Sequence, residues 1–285
     1  MIQDLAPLHF DITYHNIQPQ KNDIVISLKK NQILLGGEHY QIIFPLLKEL
    51  PGEYTKKEEF TYLFAIGETC FFLCRDLELD GYRYEPMTYL RKGGPQHLIY
   101  AGLVAMQIGR WYDAHRFCGG CGTPMISDEK ERMMKCPSCG QMEYPKICPC
   151  VIVGVIHDGK ILVSQYRGGF TDHYALIAGF AEVGETIEET VAREVYEETH
   201  LHVKNLHYYK CQPWPFSESL LFGFFCELDG SDEIIIEEDE LAMAKWVTPE
   251  EIFETPENFS LTNEMICKFK DDYGRGYKVE EIGKR

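Results

Sequence analysis

The sequence predicts an α/β protein: an α/β/α sandwich, joined to a small zinc ribbon and to a mixed, strand-rich N-terminal domain. In the second half of the chain, apolar strand-like runs such as VIVGVI alternate with helical stretches. Strands with helices on either side pack as a layered sandwich. Two Cys-x-x-Cys pairs stand between this half and a first half that is rich in short strand-like runs. These observations divide the chain into domains at residues 1–114, 115–145 and 146–285.

The length and composition of the chain fit more than one globular domain. Its 285 residues exceed a typical single domain, and a hydrophobic content of 45% is enough for packed cores. The net charge of −17 argues against broad affinity for nucleic acid or anionic membranes. The sequence has no run of about eighteen apolar residues, and MIQDLAPLHF lacks a signal-like pattern. We therefore expect a cytoplasmic protein with no membrane partner, whose odd number of cysteines, eleven, fits free thiols better than disulfides.

The N-terminal domain carries no recognisable chemistry. Four runs predict strands there, namely DIVISL, QILLG, YLFAIG and CFFLCRDL. Apolar residues at helical spacing then predict a helix from about Gln96 to Ala114.

The next segment is predicted to be a zinc ribbon over residues 115–145. Cys118-Gly-Gly-Cys121 is followed by Cys136-Pro-Ser-Cys139, and such paired knuckles are typical of a structural zinc site with four cysteine ligands. A thioredoxin-like redox pair is the competing interpretation, but it would explain only one of the two Cys-x-x-Cys pairs. Zinc ribbons also bind nucleic acid. The intervening TPMISDEKERMMK has no basic stripe with aromatic residues, so a folding staple is the default interpretation.

From Pro145 onward, the pattern predicts strands and helices in turn. Two strands, CPCVIVGVI and KILVSQY, flank a turn at Asp158-Gly159. A helix follows, and then a strand pair around HYYKCQPWPF and SLLFGFFCEL. The segment EIIIEEDELAMAKWVTPEEI predicts a strand, an acidic turn and a second strand that leads to a helix.

The segment with the clearest chemistry is GFAEVGETIEETVAREVYEETHL, which begins at Gly179. Glu194, Glu197 and Glu198 are spaced i, i+3 and i+4, so a helix places them on one face. Crowded carboxylates repel each other unless a cation is present, and Mg²⁺ takes oxygen ligands. The preceding loop, Ala178-Gly179-Phe180, offers backbone carbonyls and a glycine for close approach. The alternative is a solvated acidic helix face.

The whole segment resembles the signature of the Nudix hydrolases, which reads Gly, five residues, Glu, seven residues, Arg-Glu, an aliphatic, any residue, Glu-Glu, any residue, Gly and an aliphatic. The matching residues, here called the Nudix box, are Gly179, Glu185, Arg193, Glu194, Val195, Glu197, Glu198 and Leu201. His200 replaces the glycine that ends the helix. We expect it to adopt the left-handed conformation at a cost of about 1 kcal/mol, without loss of a ligand.

A second motif, Gln212-Pro-Trp-Pro-Phe216, follows the helix. Its prolines should rigidify Trp214 and interrupt regular strand pairing, and a core tryptophan in an edge loop is the alternative interpretation. A zinc ribbon, a Nudix box and this motif, in that order, resemble the NADH pyrophosphatase (NudC) subfamily of the Nudix hydrolases over roughly residues 96–270. Cys211 and Ser217 depart from the usual serine and proline.

The resemblance implies roles for particular residues. Glu194, Glu198, the Ala178 carbonyl and Glu240 are expected to hold catalytic Mg²⁺ or Mn²⁺. Glu197 is expected to bind a second ion or help to activate water, and Arg193 to pair with Glu185. All of these side chains, together with the Ala178 carbonyl, are therefore candidate catalytic or metal-binding groups. The expected substrate contacts are Arg91, Glu131, Tyr144, Phe180, Gln212, Pro213, Trp214, Pro215, Phe216, Ser217, Glu218, Ser219 and Thr262.

The implied activity is metal-dependent hydrolysis of NAD(H) to AMP and nicotinamide mononucleotide, and removal of NAD caps from the 5′ ends of RNA. The resemblance also implies a homodimer. One alternative interpretation, a Nudix hydrolase that acts on another nucleoside diphosphate derivative such as ADP-ribose, stays open. A second alternative also stays open, namely a protein whose Nudix domain is catalytically dead and which senses a ligand or binds RNA. Every carboxylate of the Nudix box is nevertheless retained.

Overall fold

The computed structural model describes residues 1–52, 54, 60–168, 174–236, 239, 241–252, 259–273 and 278–281. The chain divides into two compact units. One, the N-terminal unit, comprises residues 2–146 together with 215–218, and the other, the C-terminal unit, comprises Met1, 147–214 and 219–285. The zinc ribbon segment groups with the N-terminal unit, and the division into three domains stays a prediction.

The N-terminal unit is built on a sheet whose described strands follow the order β1-β4-β5-β2-β3-β6. These strands are β1 (Phe10–Asp11), β2 (Ile24–Lys29), β3 (Gln32–Leu35), β4 (Thr61–Ile66), β5 (Thr69–Arg75) and β6 (Arg83–Pro86). Strands β2 and β5 pair in parallel, and the other neighbours pair antiparallel. Each of the four runs that predicted a strand forms one, because each alternates or concentrates apolar side chains that the sheet buries.

Two helices follow this sheet, α1 (Met87–Leu90) and α2 (Gln96–Ala114). The bounds of α2 confirm the predicted helix. It starts directly after Pro95, whose fixed φ suits the residue before a helix, and it buries Leu103 and Met106. The ribbon segment then forms short antiparallel strands, β7 (Ile126–Ser127), β8 (Met134–Lys135) and β9 (Met142–Glu143).

The C-terminal unit contains a mixed sheet in the order β13-β14-β10-β11-β15, with β12 also paired to β10. Its strands are β10 (Cys148–His157), β11 (Lys160–Tyr166), β12 (Ile177–Phe180), β13 (Val203–Trp214), β14 (Ser219–Leu228) and β15 (Leu241–Val247), and its helices are α3 (Ile187–Thr199) and α4 (Leu261–Tyr273). Asp158 and Gly159 both have positive φ, as a two-residue hairpin turn of type I′ requires.

The two faces of this sheet bury separate apolar clusters. Val151, Val153 and Val155 of β10 pack with Val191 and Val195 of α3 on one face. The intervening residues of β10 pack on the other face with α4 through Ile152, Ile156, Leu261, Met265 and Phe269. Each such side chain stabilises the fold by roughly 1.5–3 kcal/mol when fully buried. The helices therefore lie on opposite faces, which confirms the predicted α/β/α sandwich.

Two expectations about local structure in this unit were wrong. Ala178-Gly179-Phe180 is not a loop but part of strand β12, whose residues pair antiparallel with Ile152, Val151 and Cys150 of β10, respectively. Proline does not interrupt strand β13, which continues through Pro213 opposite Leu220. Strand β13 lies at the edge of the sheet, where a residue without an N–H is tolerated.

A third expectation, a strand at residues 233–236, was also wrong. The Ile235 N–H donates to the Thr199 carbonyl at 3.1 Å, and the Ile235 carbonyl oxygen lies 3.1 Å from His200 Nδ1. The backbone of this segment therefore bonds to the C-terminal end of α3 instead of a neighbouring strand. Among the described residues, no helix is long and apolar enough to cross a lipid bilayer.

Candidate active site

Helix α3 is the scaffold of the site, and both of its ends follow from local sequence. At its start, the Thr186 hydroxyl accepts a hydrogen bond from the Glu189 N–H at 3.2 Å, while the Glu189 carboxylate accepts from the Thr186 N–H at 2.8 Å. This reciprocal pair is a capping box. At its end, His200 has φ 57° and ψ 20°. The expected left-handed residue is therefore present.

The Arg193 guanidinium forms hydrogen bonds with three acidic side chains of the Nudix box. It donates to both oxygens of Glu185 at 2.6 and 2.9 Å, to Glu194 at 2.7 Å and to Glu197 at 2.9 Å. It also donates to the Phe180 carbonyl at 2.8 Å, which ties the helix to strand β12. The hydrogen bond from Arg193, with others from Glu182 and Thr190, lowers the pKa of Glu185 to about 2. The expected Arg193–Glu185 pair is present.

Gly179 lies where the Glu194 carboxylate crosses strand β12. A Cβ atom at this position would overlap all three atoms of that carboxyl group. Glycine is needed here for close approach and not for an unusual φ. Glu194 and Glu198 are buried, with relative exposures of 9% and 2%, whereas Glu197 is exposed. The alternative interpretation, a solvated acidic helix face, therefore holds for Glu197 but not for Glu194 and Glu198.

Tyr166, which the sequence analysis missed, lies at the end of strand β11 beside these carboxylates. Its hydroxyl accepts a hydrogen bond from the Ala178 N–H at 3.0 Å and lies 3.3 and 3.4 Å from the two Glu198 oxygens. Burial, with the charge of Glu198, raises the pKa of Tyr166, so the hydroxyl keeps its proton. No motif marks this residue, because only the fold brings the end of β11 within reach of Glu198.

The donors collected here suit a hard divalent cation. Glu194 and Glu198 bring two buried carboxylates to the strand that carries the Ala178 carbonyl, and these are the oxygen ligands that Mg²⁺ and Mn²⁺ take. Softer metals select thiolate or imidazole ligands instead. Glu240, the fourth expected ligand, lies outside the described residues.

The four cysteines of the ribbon come together as predicted. The Cys118, Cys121, Cys136 and Cys139 sulfurs all lie within 4.8 Å of one another. Sulfurs about 2.3 Å from a shared zinc ion would be separated by nearly 4 Å, so this spacing suits a tetrahedral site. All four sulfurs share one cluster, which favours zinc over the interpretation as a redox pair.

Several expected substrate contacts lie within the N-terminal unit, in two pairs. The Tyr144 hydroxyl donates to Glu131 at 2.9 Å. The Arg91 guanidinium lies over the Phe216 ring, 5.3 Å from its centroid. Tyr144 is 53% exposed and so presents its ring to solvent.

Residues 215–218, which include the last two residues of the Gln212–Phe216 motif, are held by a side chain that no sequence motif predicted. Arg110 of α2 donates to the Pro215 carbonyl at 2.6 Å and to the Glu218 carboxylate at 3.2 Å, and Lys146 Nζ lies 3.6 Å from the same carboxylate. Glu218 has φ 58°, an uncommon conformation for a residue with a side chain. These ionic contacts stabilise a turn that its sequence does not favour. Ser217 is exposed.

The first three residues of the Gln212–Phe216 motif lie in the C-terminal unit and are packed inward. Gln212 is fully buried, and its amide accepts from the Leu261 N–H at 2.7 Å and donates to the Phe259 carbonyl at 3.1 Å. Trp214 packs edge-on against Phe259, with 5.9 Å between ring centroids. These contacts position the start of α4, which carries the half-buried Thr262. Ser219 is buried as well.

Two protein families match parts of this chain. The NUDIX domain family matches residues 149–269, and the NADH pyrophosphatase zinc ribbon domain matches residues 113–144. A sandwich with a carboxylate-bearing helix, preceded by a four-cysteine ribbon, thus defines a protein of the Nudix class. A Nudix hydrolase from Nitrosomonas europaea has a similar solved structure, with a TM-score of 0.48 and 21% identity over 57% of this chain and 95% of that one.

Two curated relatives narrow the class. The NAD-capped RNA hydrolase NudC of Pseudomonas aeruginosa is 36% identical over 225 residues, which cover 76% of this chain and 80% of the relative. The protein of the same name from Salmonella paratyphi B is 45% identical over 141 residues, which cover 50% and 54% of the two chains. The chain belongs to the NudC family of Nudix hydrolases.

Proposed function

We propose that this chain hydrolyses the pyrophosphate of NAD(H) to AMP and nicotinamide mononucleotide, and that it removes NAD caps from the 5′ ends of RNA. The observation that carries the proposal is the pair of buried carboxylates, Glu194 and Glu198, beside the Ala178 peptide. The names of the relatives support the choice of substrate.

The chemistry follows from charge. The pyrophosphate bridge is doubly anionic, so the buried carboxylates would repel it without a cation. These residues would hold a divalent cation, which when bound would neutralise the bridge and lower the pKa of a bound water. Glu194 and Glu198 would be its side-chain ligands, and Arg193 keeps Glu194 in place through the 2.7 Å hydrogen bond.

Water then adds its oxygen to one phosphorus, and the bond from that phosphorus to the bridging oxygen breaks. The exposed Glu197 shares the helix face and is available to accept the proton of the attacking water. Phe180, 49% exposed at the end of β12, presents a ring on which a base can stack. Tyr144 is proposed to stack a nucleotide ring in the same way.

Alanine at Glu198 should abolish metal-dependent hydrolysis of NADH and leave the fold intact, because it removes a proposed ligand without opening a large apolar cavity. The matched control is Glu188→Ala, which removes an exposed glutamate from the first turn of the same helix. Turnover is measured by release of AMP, and folding by circular dichroism. Retained turnover in Glu198→Ala would contradict the assignment.

The choice among substrates is tested with purified protein in Mg²⁺ or Mn²⁺. We propose that NADH, NAD⁺ and NAD-capped RNA are all cleaved, and that ADP-ribose is the poorer substrate. Faster cleavage of ADP-ribose than of NADH would favour a different Nudix specificity. Binding of NADH without any cleavage would favour the dead-domain interpretation.

Three finer features belong to the same proposal. The catalytic cation is Mg²⁺ or Mn²⁺, which a metal-depleted sample supplied with single ions would establish. The protein is a homodimer, whose mass light scattering would give. It works in the cytoplasm, where NAD(H) and RNA are both available, and cell fractionation would test this.

A further inference from the structure

Strand β11 brings the Tyr166 hydroxyl close to two of the proposed metal ligands, Ala178 and Glu198. The pairing of β11 with β15 changes register between Gln165 and Tyr166, so that Tyr166 pairs with Leu241 after an irregular step. Such bulges re-aim side chains and are frequent beside active sites. The Tyr166 ring packs partly buried against the apolar cluster that includes Val191 and Val195 of α3. The ring is therefore fixed, and its hydroxyl has a defined position.

The hydroxyl group connects two separate elements. The Ala178 N–H of β12 donates to it at 3.0 Å, which uses one lone pair of the oxygen. Its own proton can point towards Glu198 of α3, whose two oxygens lie at nearly equal distances of 3.3 and 3.4 Å. The Ala178 and Leu176 carbonyl oxygens are also near, at 3.4 and 3.5 Å. A carboxylate is the stronger acceptor, because charge-assisted hydrogen bonds are about twice as strong as neutral ones.

We infer that Tyr166 is a positioning residue: its hydroxyl ties the backbone of Ala178, through its N–H, to the Glu198 carboxylate and so sets the spacing between the Ala178 carbonyl and Glu198, two ligands of the divalent cation. This inference rests on the proposed function, which makes those two groups ligands. Arg193 holds Glu194 through a hydrogen bond of 2.7 Å. Tyr166 supplies a neutral donor for Glu198, so that it orients this carboxylate without adding positive charge that would compete with the cation.

Removal of the hydroxyl alone tests the inference, because Tyr166→Phe keeps the packed ring. The matched control is Tyr209→Phe, which removes another partly buried tyrosine hydroxyl of the same unit, one that donates to the Glu264 carboxylate at 2.9 Å. Binding of Mn²⁺ is measured without substrate by the electron paramagnetic resonance signal of the free ion. Thermal unfolding of both variants shows that each is folded.

The partners that orient metal ligands typically contribute roughly 10- to 100-fold in metal affinity. We therefore expect Tyr166→Phe to raise the Kd for Mn²⁺ by roughly tenfold or more, and Tyr209→Phe to leave it unchanged within about twofold. The Mn²⁺ concentration that gives half-maximal NADH cleavage should rise in parallel, while KM for NADH at saturating Mn²⁺ stays unchanged.

An unaltered Kd in Tyr166→Phe, or an equal rise in Tyr209→Phe, would overturn the inference. Absence of Mn²⁺ binding by the unaltered protein would overturn it too. Failure of the proposed function gives a different result: the unaltered protein would bind Mn²⁺ and Tyr166→Phe would weaken that binding, yet neither would cleave NADH or NAD-capped RNA.

Discussion

Replacement of Arg193 by alanine should destabilise the C-terminal unit far more than replacement of an ordinary surface cation. The side chain is 25% exposed, and its partners Glu185 and Glu194 are 20% and 12% exposed at the side chain. The variant leaves these carboxylates close together with no guanidinium between them. It also removes the hydrogen bond that joins α3 to the Phe180 carbonyl of β12.

The size of the effect follows from this partial burial. Removing one partner from a fully buried ion pair costs about 3–5 kcal/mol, whereas an exposed pair contributes about 0–1 kcal/mol. Arg193 lies between these limits but makes several charge-assisted bonds, so we expect the free energy of unfolding to fall by about 2–3 kcal/mol in the absence of metal. The control is Lys204→Ala in the same unit. Lys204 bonds to Asp229 at 2.9 Å, and both side chains are at least half exposed, so it should lose less than about 1 kcal/mol.

The assay must report on one unit, because a protein with two units need not unfold in a single step. Hydrogen exchange in peptides from α3 (Ile187–Thr199), measured over a range of urea concentrations, gives the local stability. Circular dichroism checks that both variants retain their secondary structure. If Arg193→Ala lost no more stability than Lys204→Ala, the argument that the guanidinium holds the box together would be refuted.

The remaining predictions concern the same box, the zinc cluster and pH. Gly179→Ala should weaken Mn²⁺ binding by roughly tenfold or more while circular dichroism stays native, because the new methyl group displaces the Glu194 carboxylate; unchanged Mn²⁺ affinity would show that the carboxylate moves freely. Cys136→Ser should lower the zinc content of the purified protein, one ion per chain by mass spectrometry of the metal, and should lower its unfolding temperature; full zinc occupancy in the variant would exclude Cys136 as a ligand. The pKa of Glu185 is lowered from 4.5 to about 2 on folding, so its ionised form stabilises the fold fully above about pH 4.5 and progressively less as the pH falls towards 2. The unfolding temperature should therefore fall over this acid range, and Arg193→Ala should show a smaller fall; equal pH profiles for the two proteins would contradict the pairing.

Local pattern predicted the parts of this protein that depend on neighbours in sequence. The helix at Gln96–Ala114 follows from apolar spacing, and the left-handed His200 follows from its position at a helix end. The carboxylate row of α3 and the knuckles of the zinc cluster follow from spacings of three or four residues. Each of these features is decided within a turn or two of chain, where periodicity and covalent geometry dominate.

The tertiary structure alone decided the rest, because it depends on which distant segments pair. Residues 178–180 become a strand only because β10 is available to pair with them, and residues 233–236 do not become one because the end of α3 takes their hydrogen bonds. Burial of Gln212 beneath α4 also depends on a partner some fifty positions away. Tyr166, placed against Glu198 by a register change in a strand, is invisible in the linear pattern for the same reason. The sequence determined which oxygens and sulfurs could bind metals, and the packing of strands against helices determined which of them are buried, oriented and brought together.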